Sequence, residues 1–492
     1  MSHMDVAETA PPNPPRRHAS PPRMLATVSV IFLVVFLFVR VGFVEPFGVP
    51  TGSMAPTLIG NHREGPCPRC GHPVRVGIPV GGERPGYFSD VPCPNCGKRV
   101  NLAEARDING DRLLVDKNVY QLRQPRRWEV AVFRCVADLA KPYVKRIVGM
   151  PGEEITIIDG DAYANSELLR KSIREVREAR VPVFDLSYSP VPTGWGPRWL
   201  VYPAEADRRL PREGGREPAP ADDSVLANGM LVLDAGEGAQ QEVRVEYRHW
   251  NLDENREEAV KSWNSYDGGG NRRESNVYPV HDFYFRCEVE VVLAQPDAAF
   301  ACRLFDGSDA MAAEVSVGKQ ATGQARLAHE KLGIVSAAAK TSLEPKRTYT
   351  IEFAFVDRRA TFAIDGKVAT APSDLPAEKK RGEVRRPLQL GARGCKLVLR
   401  NVTLSRDVHY TQAGTYGTRQ PAKLGPDEYF MLGDNSGNSQ DSREWAHPGI
   451  PEADFIGKPF LIHQPLRLGG VSVGGRDRTY QTLDWSRLRW LH

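Results

Sequence analysis

The chain has 492 residues, enough for about three domains of ordinary size. Hydrophobic residues make up 41% and charged residues 26%, which excludes a collagen, a wholly disordered chain and a polytopic membrane protein. Lys and Arg number 65 against 61 Asp and Glu, and a net charge of +4 is too small to indicate a nucleic-acid binder. The 8 cysteines are too few for a disulfide scaffold of this size, so their spacing decides their meaning.

Residues 1–23 are polar and proline-rich and bury too little apolar surface to fold, so a disordered tail is expected there. Residues 24–44 follow, with an unbroken apolar run from Val30 to Val39. A helix over this stretch covers about 30 Å of hydrocarbon at about 1.5 Å per residue. Arg40 falls near its far end, where a long side chain reaches the headgroups. The segment is apolar on all sides, unlike a soluble amphipathic helix. Arg16, Arg17 and Arg23 precede it and Arg40 alone lies close behind. The positive-inside rule then places the tail in the cytoplasm and residues 45–492 outside. A cleaved signal peptide is the competing reading, but the apolar run is long for one and no small-x-small site follows. The segment reads as a single-pass anchor in the cytoplasmic membrane.

Three later segments carry chemistry. Residues 45–58 read Glu-Pro-Phe-Gly-Val-Pro-Thr-Gly-Ser-Met-Ala-Pro-Thr-Leu, and Pro46, Pro50 and Pro56 hold them out of a helix. Ser53 stands there between Gly52 and Met54. Residues 141–153, Lys-Pro-Tyr-Val-Lys-Arg-Ile-Val-Gly-Met-Pro-Gly-Glu, contain a β-rich alternating stretch from Tyr143 to Val148. Lys145 and Ile147 share one face of that strand; Val144, Arg146 and Val148 share the other. Burial of a lysine on an apolar face disfavours the ammonium and lowers its pKa towards that of a general base. A surface lysine whose stem covers apolar neighbours is the plainer alternative. Residues 429–445, Tyr-Phe-Met-Leu-Gly-Asp-Asn-Ser-Gly-Asn-Ser-Gln-Asp-Ser-Arg-Glu-Trp, run from a strand into a turn dense in Gly, Asp, Asn and Ser. Such side chains bond back to the backbone and stiffen a loop.

In this order behind an anchor, the segments resemble the bacterial type I signal peptidases, membrane-anchored serine endopeptidases of β-rich fold with a Ser–Lys dyad. The resemblance covers roughly residues 24–66, 107–165 and 423–465, and takes in Gly-Asp-Arg-Leu-Leu-Val-Asp-Lys (110–117) and Pro-Arg-Arg-Trp-Glu-Val-Ala-Val-Phe (125–133). It implies a peptidase core over 45–66, 107–165 and 415–470, with a C-terminal tail over 471–492. Matched by position, Ser53 is the nucleophile, Lys145 the general base and Ser439 the residue that orients the lysine. The Ser53 N–H and the Thr51 hydroxyl would form the oxyanion hole. Asp434, Asp441, Arg443 and Arg146 match charged residues that pair near the dyad and hold the Ser439 loop. Ser436 stands where many relatives carry Arg, a departure expected to loosen the loop's ion pairing. Catalysis of this kind needs no histidine and no cofactor. The metalloprotease pattern His-Glu-x-x-His is missing, because Gly333 follows His329-Glu330 in the place of the second histidine. The implied reaction removes signal peptides from exported preproteins after small residues, in an Ala-x-Ala pattern, through an acyl-enzyme. The anchor would keep enzyme and substrate on one bilayer surface.

Two insertions interrupt this core. Cys67-Pro-Arg-Cys70 and Cys93-Pro-Asn-Cys96 are paired C-x₂-C knuckles. Doubled at this separation they read as a structural zinc ribbon over 67–99, four thiolates closing a tetrahedral site with no position open for catalysis. Disulfides are the alternative outside the cytoplasm. The ribbon adjoins the nucleophile segment, within reach of the membrane, the substrate or a partner. The longer insertion opens over 166–224 with a short helical stretch (Leu168, Leu169, Ile173, Val176) and a linker rich in Pro, Arg and Glu. Residues 225–412 then alternate as strands. Phe283, Phe285, Cys287, Val289, Val291 and Leu293 face one way; Tyr349, Ile351, Phe353 and Phe355 do the same, and Leu388, Leu390, Leu397 and Leu399 continue the pattern. Asp365-Gly366 reads as a hairpin turn. This spacing argues an antiparallel β-sandwich, and residues 351–369 resemble the lectin-like jelly rolls of laminin-G and concanavalin type. That resemblance implies a carbohydrate or protein ligand; a purely architectural or docking role is the alternative. Cys287, Cys302 and Cys395 read as small core residues.

The fold class is therefore mainly β, with an N-terminal transmembrane helix and a peptidase core split by a zinc ribbon and a β-sandwich. The leading function is a membrane-bound serine endopeptidase acting on signal-peptide-bearing preproteins. A membrane-tethered adhesion or docking protein, with a relic peptidase core, is the alternative. A self-cleaving Ser–Lys repressor would need a DNA-binding helix-turn-helix where this chain has a proline-rich tail and a span.

Overall fold

The computed structural model describes residues 42–79, 86–135, 138–188, 198–202, 218–236 except 223 and 228, 242–268, 277–319, 323–473 except 379, and 476–491, with isolated positions between 25 and 32. The tail expected over 1–23, nearly all of the anchor expected over 24–44 and much of the Pro/Arg/Glu-rich linker lie outside these residues. Among the described residues no helix is long and apolar enough to cross a membrane.

The chain is mainly β. One antiparallel sheet runs Val44–Gly48, Arg112–Asp116, Phe455–Ile462, Val130–Cys135, Asp138–Gly149, Glu428–Leu432 and Gly449–Pro451. Its neighbours are far apart in sequence, so the sheet itself gathers the segments that carry the motifs. The strand bearing Lys145 lies inside it, Ala131 opposite Lys145 on one side and Leu432 opposite Arg146 on the other. Successive residues alternate between two cores, as the pleat requires. Val130 and Val132 pack with Val49, Met54 and Leu58, while Ala131 and Phe133 pack with Ile147, Met431 and Trp445.

A smaller sheet of Glu154–Ile158, Asp161–Ala164, Glu167–Leu168 and Ala422–Lys423 leads into the long insertion. Leu168 thus belongs to a strand, and the helix is shorter than the stretch expected to hold it: Ile173–Ala179, burying Ile173, Val176 and Ala179. Ser172 sets its start, its N–H donating to the Glu175 carboxylate at 2.6 Å.

The insertion is one β system from Val181–Asp185 to Leu388–Arg406. It begins earlier than 225, because Val181–Asp185 and Trp199–Tyr202, expected as linker, pair into it. Its spine is two long antiparallel strands, Phe283–Phe305 and Leu388–Arg406. Register shifts interrupt them, one of them between Val291 and Leu293. A bulge there turns the next residue to the other face. Val291 is buried, while Leu293, expected beside it, is 48% exposed. The remaining residues of the alternating pattern share one core with Cys287, Cys302 and Cys395, all free thiols. Asp365 and Gly366, with φ of 50° and 78°, turn Arg359–Ile364 into Lys367–Val368.

The cysteine-bearing insertion is wider than 67–99. It comprises His62–Pro66, Pro73–Gly77, Val91–Pro92, Arg99–Val100 and Asp107–Ile108, and grows directly out of the Ser53 segment. It docks on the long β insertion. Asn95 donates to the carbonyls of Asp185 and Tyr188 at 3.2 and 2.8 Å, and Leu252 packs among the cysteines. The C-terminal tail expected over 471–492 is also built into the fold. Leu466–Val473 and Arg476–Leu483 form a hairpin, and Arg489–Trp490 pairs with Phe455–Ile462 of the first sheet. The largely polar 476–483 stretch carries little strand signal by itself, and its partner strand supplies the pairing.

The long insertion leaves and rejoins the core side by side, Val181 opposite Arg406. Lys171 locks this junction. Its buried ammonium donates to Asp407 at 2.7 Å and to both oxygens of Asp357 at 3.2 Å. Burial alone would lower its pKa, but Asp357 and Asp407 outweigh that and keep it charged. Burial pushes the Asp357 carboxyl up to about 7 against the pull of Lys171, because two carboxylates share one cation. Replacing Lys171 by Ala leaves both carboxylates buried without a counter-ion. The expected loss is about 3–5 kcal/mol of stability, read from denaturant or thermal midpoints. Arg385→Ala, which breaks an exposed pair with Glu383, should change them little. Equal midpoints for Lys171→Ala and wild type would remove the junction from the account.

Candidate active site

Ser53 sits in a turn without regular secondary structure, so its position is imposed by neighbours. Within the turn, the Gly52 carbonyl accepts from Ala55 N–H at 3.0 Å and the Met54 carbonyl from Leu58 N–H at 2.9 Å. Buried Asp111 holds the base. Its carboxylate accepts from Ile59 N–H at 2.8 Å and from Arg487 at 2.5 Å, and its backbone N–H donates to the Ile59 carbonyl at 2.8 Å. Arg489 donates to the Thr57 carbonyl at 2.8 Å. From the opposite side, Asn435 N–H donates to the Ser53 carbonyl at 3.0 Å, and its side-chain amide to the Gly52 carbonyl at 3.0 Å.

Against this turn stands Lys145, whose Nζ donates to Ser53 Oγ at 2.6 Å across 92 positions of sequence. Lys145 is 3% exposed. Burial brings its ammonium down from 10.5 to about 8, with Asp441 resisting and Arg443 assisting. A lysine in this state has a substantial neutral fraction near physiological pH. Its amine is within proton-transfer distance of a serine hydroxyl, which is what general-base activation requires.

Two ion pairs hold the 433–443 loop over the dyad. Arg146 and Asp434, both fully buried, meet through two hydrogen bonds of 2.7 and 2.6 Å, and the third donor group of Arg146 reaches the Trp128 carbonyl at 2.7 Å. Arg443 grips Asp441 in the same two-point manner, at 2.9 and 2.8 Å. Ser436 does not loosen this loop. Its hydroxyl accepts from Arg443 at 2.8 Å and from Thr411 N–H at 2.9 Å, and its carbonyl accepts from Arg443 at 2.9 Å, so a small side chain lets Arg443 reach the turn backbone. Gly433 is glycine for lack of room, since a Cβ there would overlap the Ser439 hydroxyl and the Ser53 carbonyl.

The structure brings Ser53, Lys145, Ser439 and both ion pairs into one place. Ser439 makes no hydrogen bond to Lys145, and among the described residues its buried hydroxyl has no partner. Thr51 is exposed two residues before Ser53, its backbone packed on Gly60. Asp111 and Asn435 were not singled out by sequence reasoning, although both fall inside blocks that carry the resemblance. Their signal was a polar side chain beside a glycine in a turn, Gly110-Asp111 and Gly433-Asp434-Asn435.

The four cysteine sulfurs Cys67, Cys70, Cys93 and Cys96 lie within 4.8 Å of one another, all buried. Cys67 and Cys96 are 3.5 Å apart and Cys70 and Cys93 3.6 Å. That is far beyond a disulfide bond of about 2.05 Å and close to the edge of about 3.8 Å that a tetrahedron with metal–sulfur bonds of about 2.3 Å requires. Matching turns build the two knuckles, Gly71 N–H donating to the Cys67 carbonyl and Gly97 N–H to the Cys93 carbonyl. The donor set suits a soft or borderline metal ion.

A family model described as signal peptidase, peptidase S26, matches residues 103–199 and 356–463. The matched residues include Lys145, Asp434, Ser439 and Asp441; Ser53 lies outside them. Signal peptidase I of Rickettsia massiliae is 26% identical over 145 residues, covering 29% of this chain and 44% of the relative. The enzyme of Rickettsia bellii is 24% identical over 142 residues, covering 29% and 39%. A probable signal peptidase I-2 of Synechocystis is 38% identical over 64 residues, covering 12% and 29%. The chain thus spans less than half the length of these relatives. Among solved structures, a carbohydrate-binding module from Bacillus subtilis matches at a TM-score of 0.21 and 13% identity, covering 35% of this chain and 83% of the module. A beta-1,3-glucanase from Mycobacterium marinum matches at 0.27 and 11%, covering 43% and 95%. Scores this low say nothing of what the sandwich does. The motifs around Lys145 and Ser439, the matched regions on either side of the insertion and the curated relatives agree: over these regions the chain is similar to the signal peptidases of the peptidase S26 family.

Proposed function

We propose that this protein is a membrane-bound signal peptidase I that cuts exported preproteins after small residues in an Ala-x-Ala pattern. The observation that carries the reading is the contact between a buried lysine amine and the Ser53 hydroxyl. In the reaction, neutral Lys145 takes the Ser53 proton as Oγ adds to the scissile carbonyl. The oxyanion is received by the Ser53 N–H and the Thr51 hydroxyl, because donors at the site of developing charge lower the barrier. Lys145 then gives its proton to the departing amine, leaving an ester on Ser53. A water deprotonated by Lys145 hydrolyses that ester and regenerates the hydroxyl. Arg146–Asp434 and Arg443–Asp441 position the loop, and Ser439 is the neighbour able to orient the amine. Residues 24–44 form the anchor, with the catalytic core on the extracytoplasmic side of the cytoplasmic membrane, and the substrate reaches Ser53 from the same bilayer. Preproteins and the lipid bilayer are thus its partners. The spacing of the four ribbon sulfurs supports a structural zinc held by Cys67, Cys70, Cys93 and Cys96. Such an ion would fix the ribbon against the sandwich and take no part in bond cleavage.

In detergent, Ser53→Ala and Lys145→Met should each lower preprotein cleavage by at least about 10²–10⁴-fold. Processing at the wild-type rate by both variants would end the peptidase reading. The reactive form of Lys145 is the neutral amine, so kcat/KM should be low at acidic pH, rise through about pH 8 and level off above it. A limb appearing only near 10.5 contradicts the base assignment. The same burial has a stability signature. The folded-state value lies below the unfolded one, so between about 8 and 10.5 the unfolded chain binds more protons and stability rises with pH. Below that window the buried ammonium costs the fold about 3 kcal/mol. Lys145→Met should therefore raise the thermal midpoint at pH 7, with the gain fading towards pH 10.5. Metal analysis should find about one zinc per chain, and Cys70→Ser should lower both zinc content and thermal midpoint. Loss of four titratable thiols in the denatured, unreduced protein would instead establish disulfides.

A further inference from the structure

The peptide group between Gly52 and Ser53 is planar and trans, so its carbonyl and its N–H point in opposite directions. Ala55 N–H and the Asn435 amide both donate to that carbonyl, each at 3.0 Å. They therefore fix where the Ser53 N–H points, and among the described residues that N–H meets no acceptor. The Asn435 amide has two ends, and only its NH₂ can donate to Gly52. Asp267 selects that end. Its carboxylate accepts the other amide hydrogen of Asn435 at 2.6 Å, and the Asn438 amide at 3.0 Å. An ionised carboxylate only accepts, so a flipped Asn435 would set its oxygen against it.

Asp267 belongs to the sandwich insertion, and the segment around it is moulded to the nucleophile turn. Asn264 donates to the Ala55 carbonyl at 3.2 Å and accepts from Tyr266 N–H at 3.1 Å. The Tyr266 hydroxyl donates to the Asn61 carbonyl at 2.9 Å. Its buried ring lies so close to Gly52 that a Cβ there would overlap it. The insertion therefore touches both ends of the turn and orients the side chain that aims its peptide.

We propose that Asp267 is a positioning residue for the oxyanion hole: through Asn435 it fixes the Gly52–Ser53 peptide, which makes the sandwich insertion a working part of the peptidase site. The proposal rests on the serine-peptidase reading above. The test uses the full chain in detergent, with Asp267→Ala and Asp267→Asn measured beside wild type. Three readouts are taken: steady-state cleavage of a signal-peptide substrate, inhibition by a peptide aldehyde ending in alanine, and amide hydrogen exchange in peptides covering residues 51–58. Addition of Ser53 to the aldehyde carbonyl forms a tetrahedral hemiacetal whose oxygen occupies the oxyanion position.

Asp267→Ala should lower kcat by about 10–10²-fold with KM nearly unchanged. It should weaken aldehyde inhibition by a similar factor and speed exchange in the 51–58 peptides. Asp267→Asn keeps an oxygen that accepts from Asn435 and should retain most of the activity. Wild-type kcat in Asp267→Ala, a change confined to KM, or a loss matched by the unfolded fraction would overturn the proposal. So would unchanged exchange at 51–58. If wild type itself cleaves nothing, the peptidase reading falls, and the exchange comparison still decides whether Asp267 holds the turn.

Discussion

Everything at the centre of this molecule answers to one contact, the 2.6 Å hydrogen bond between Lys145 Nζ and Ser53 Oγ. A lysine 3% exposed is costly unless a carboxylate pairs with it, and pairing would return it to a permanent cation. The site resolves this by keeping nearby carboxylates occupied. Asp434 spends both oxygens on Arg146, and Asp441 spends both on Arg443, one of them also on Gly433 N–H. Two closed pairs supply rigidity while leaving the amine near 8. Were either arginine absent, its aspartate would be left without its partner, and both carboxylates already act to hold the Lys145 ammonium in its charged form.

The second constraint is that Ser53 lies in a turn that cannot hold itself. Regular strands flank it at Val44–Gly48 and His62–Pro66, but the residues between make few bonds among themselves. The turn is fixed from three sides: Asp111 with Arg487 and Arg489 at its base, Asn435 at its flank, and Tyr266 of the long β insertion against Gly52. Two of these supports come from regions that composition would assign to a tail and to an accessory domain. The insertions thereby become part of the wall of the site, and the cysteine-bearing insertion, through Asn95 and Leu252, ties the Ser53 segment and the long β insertion together.

What was legible in the sequence was local. Alternation from Tyr143 to Val148, the turn chemistry of 433–443 and the prolines around Ser53 are short-range signals, and together they named residues that the fold does bring together. Alternation also found the buried face of the long insertion from Phe283 to Val289. It failed at Leu293, because a bulge adds one residue and reverses every face after it, with no mark in composition. It missed Val181–Asp185 as a strand because a helix ends immediately before it and Pro182 interrupts the run. The C-terminal strands were hidden by polar residues whose partner is across a hairpin. The Asp267–Asn435 contact spans 168 positions and had no local pattern at all.

In the proposed reaction these tertiary contacts act through entropy. Fixing one residue's backbone costs about 1–2 kcal/mol, so holding the residues of a loose turn at the moment of reaction would consume much of a rate enhancement. Here that ordering is done when the protein folds. The long insertion, whose main sheet has 16 strands among the described residues, is anchored at its base by Lys171 between Asp357 and Asp407 and presents Asn264, Tyr266 and Asp267 to the turn as a fixed surface. In the proposed mechanism the Ser53 N–H then needs no reorganisation to meet developing charge, and preorganised donors are the most effective kind. A large domain inserted between base and orienting loop is consistent with a compact active site for this reason: its two ends leave and return as paired strands, and its far loop folds back onto the nucleophile.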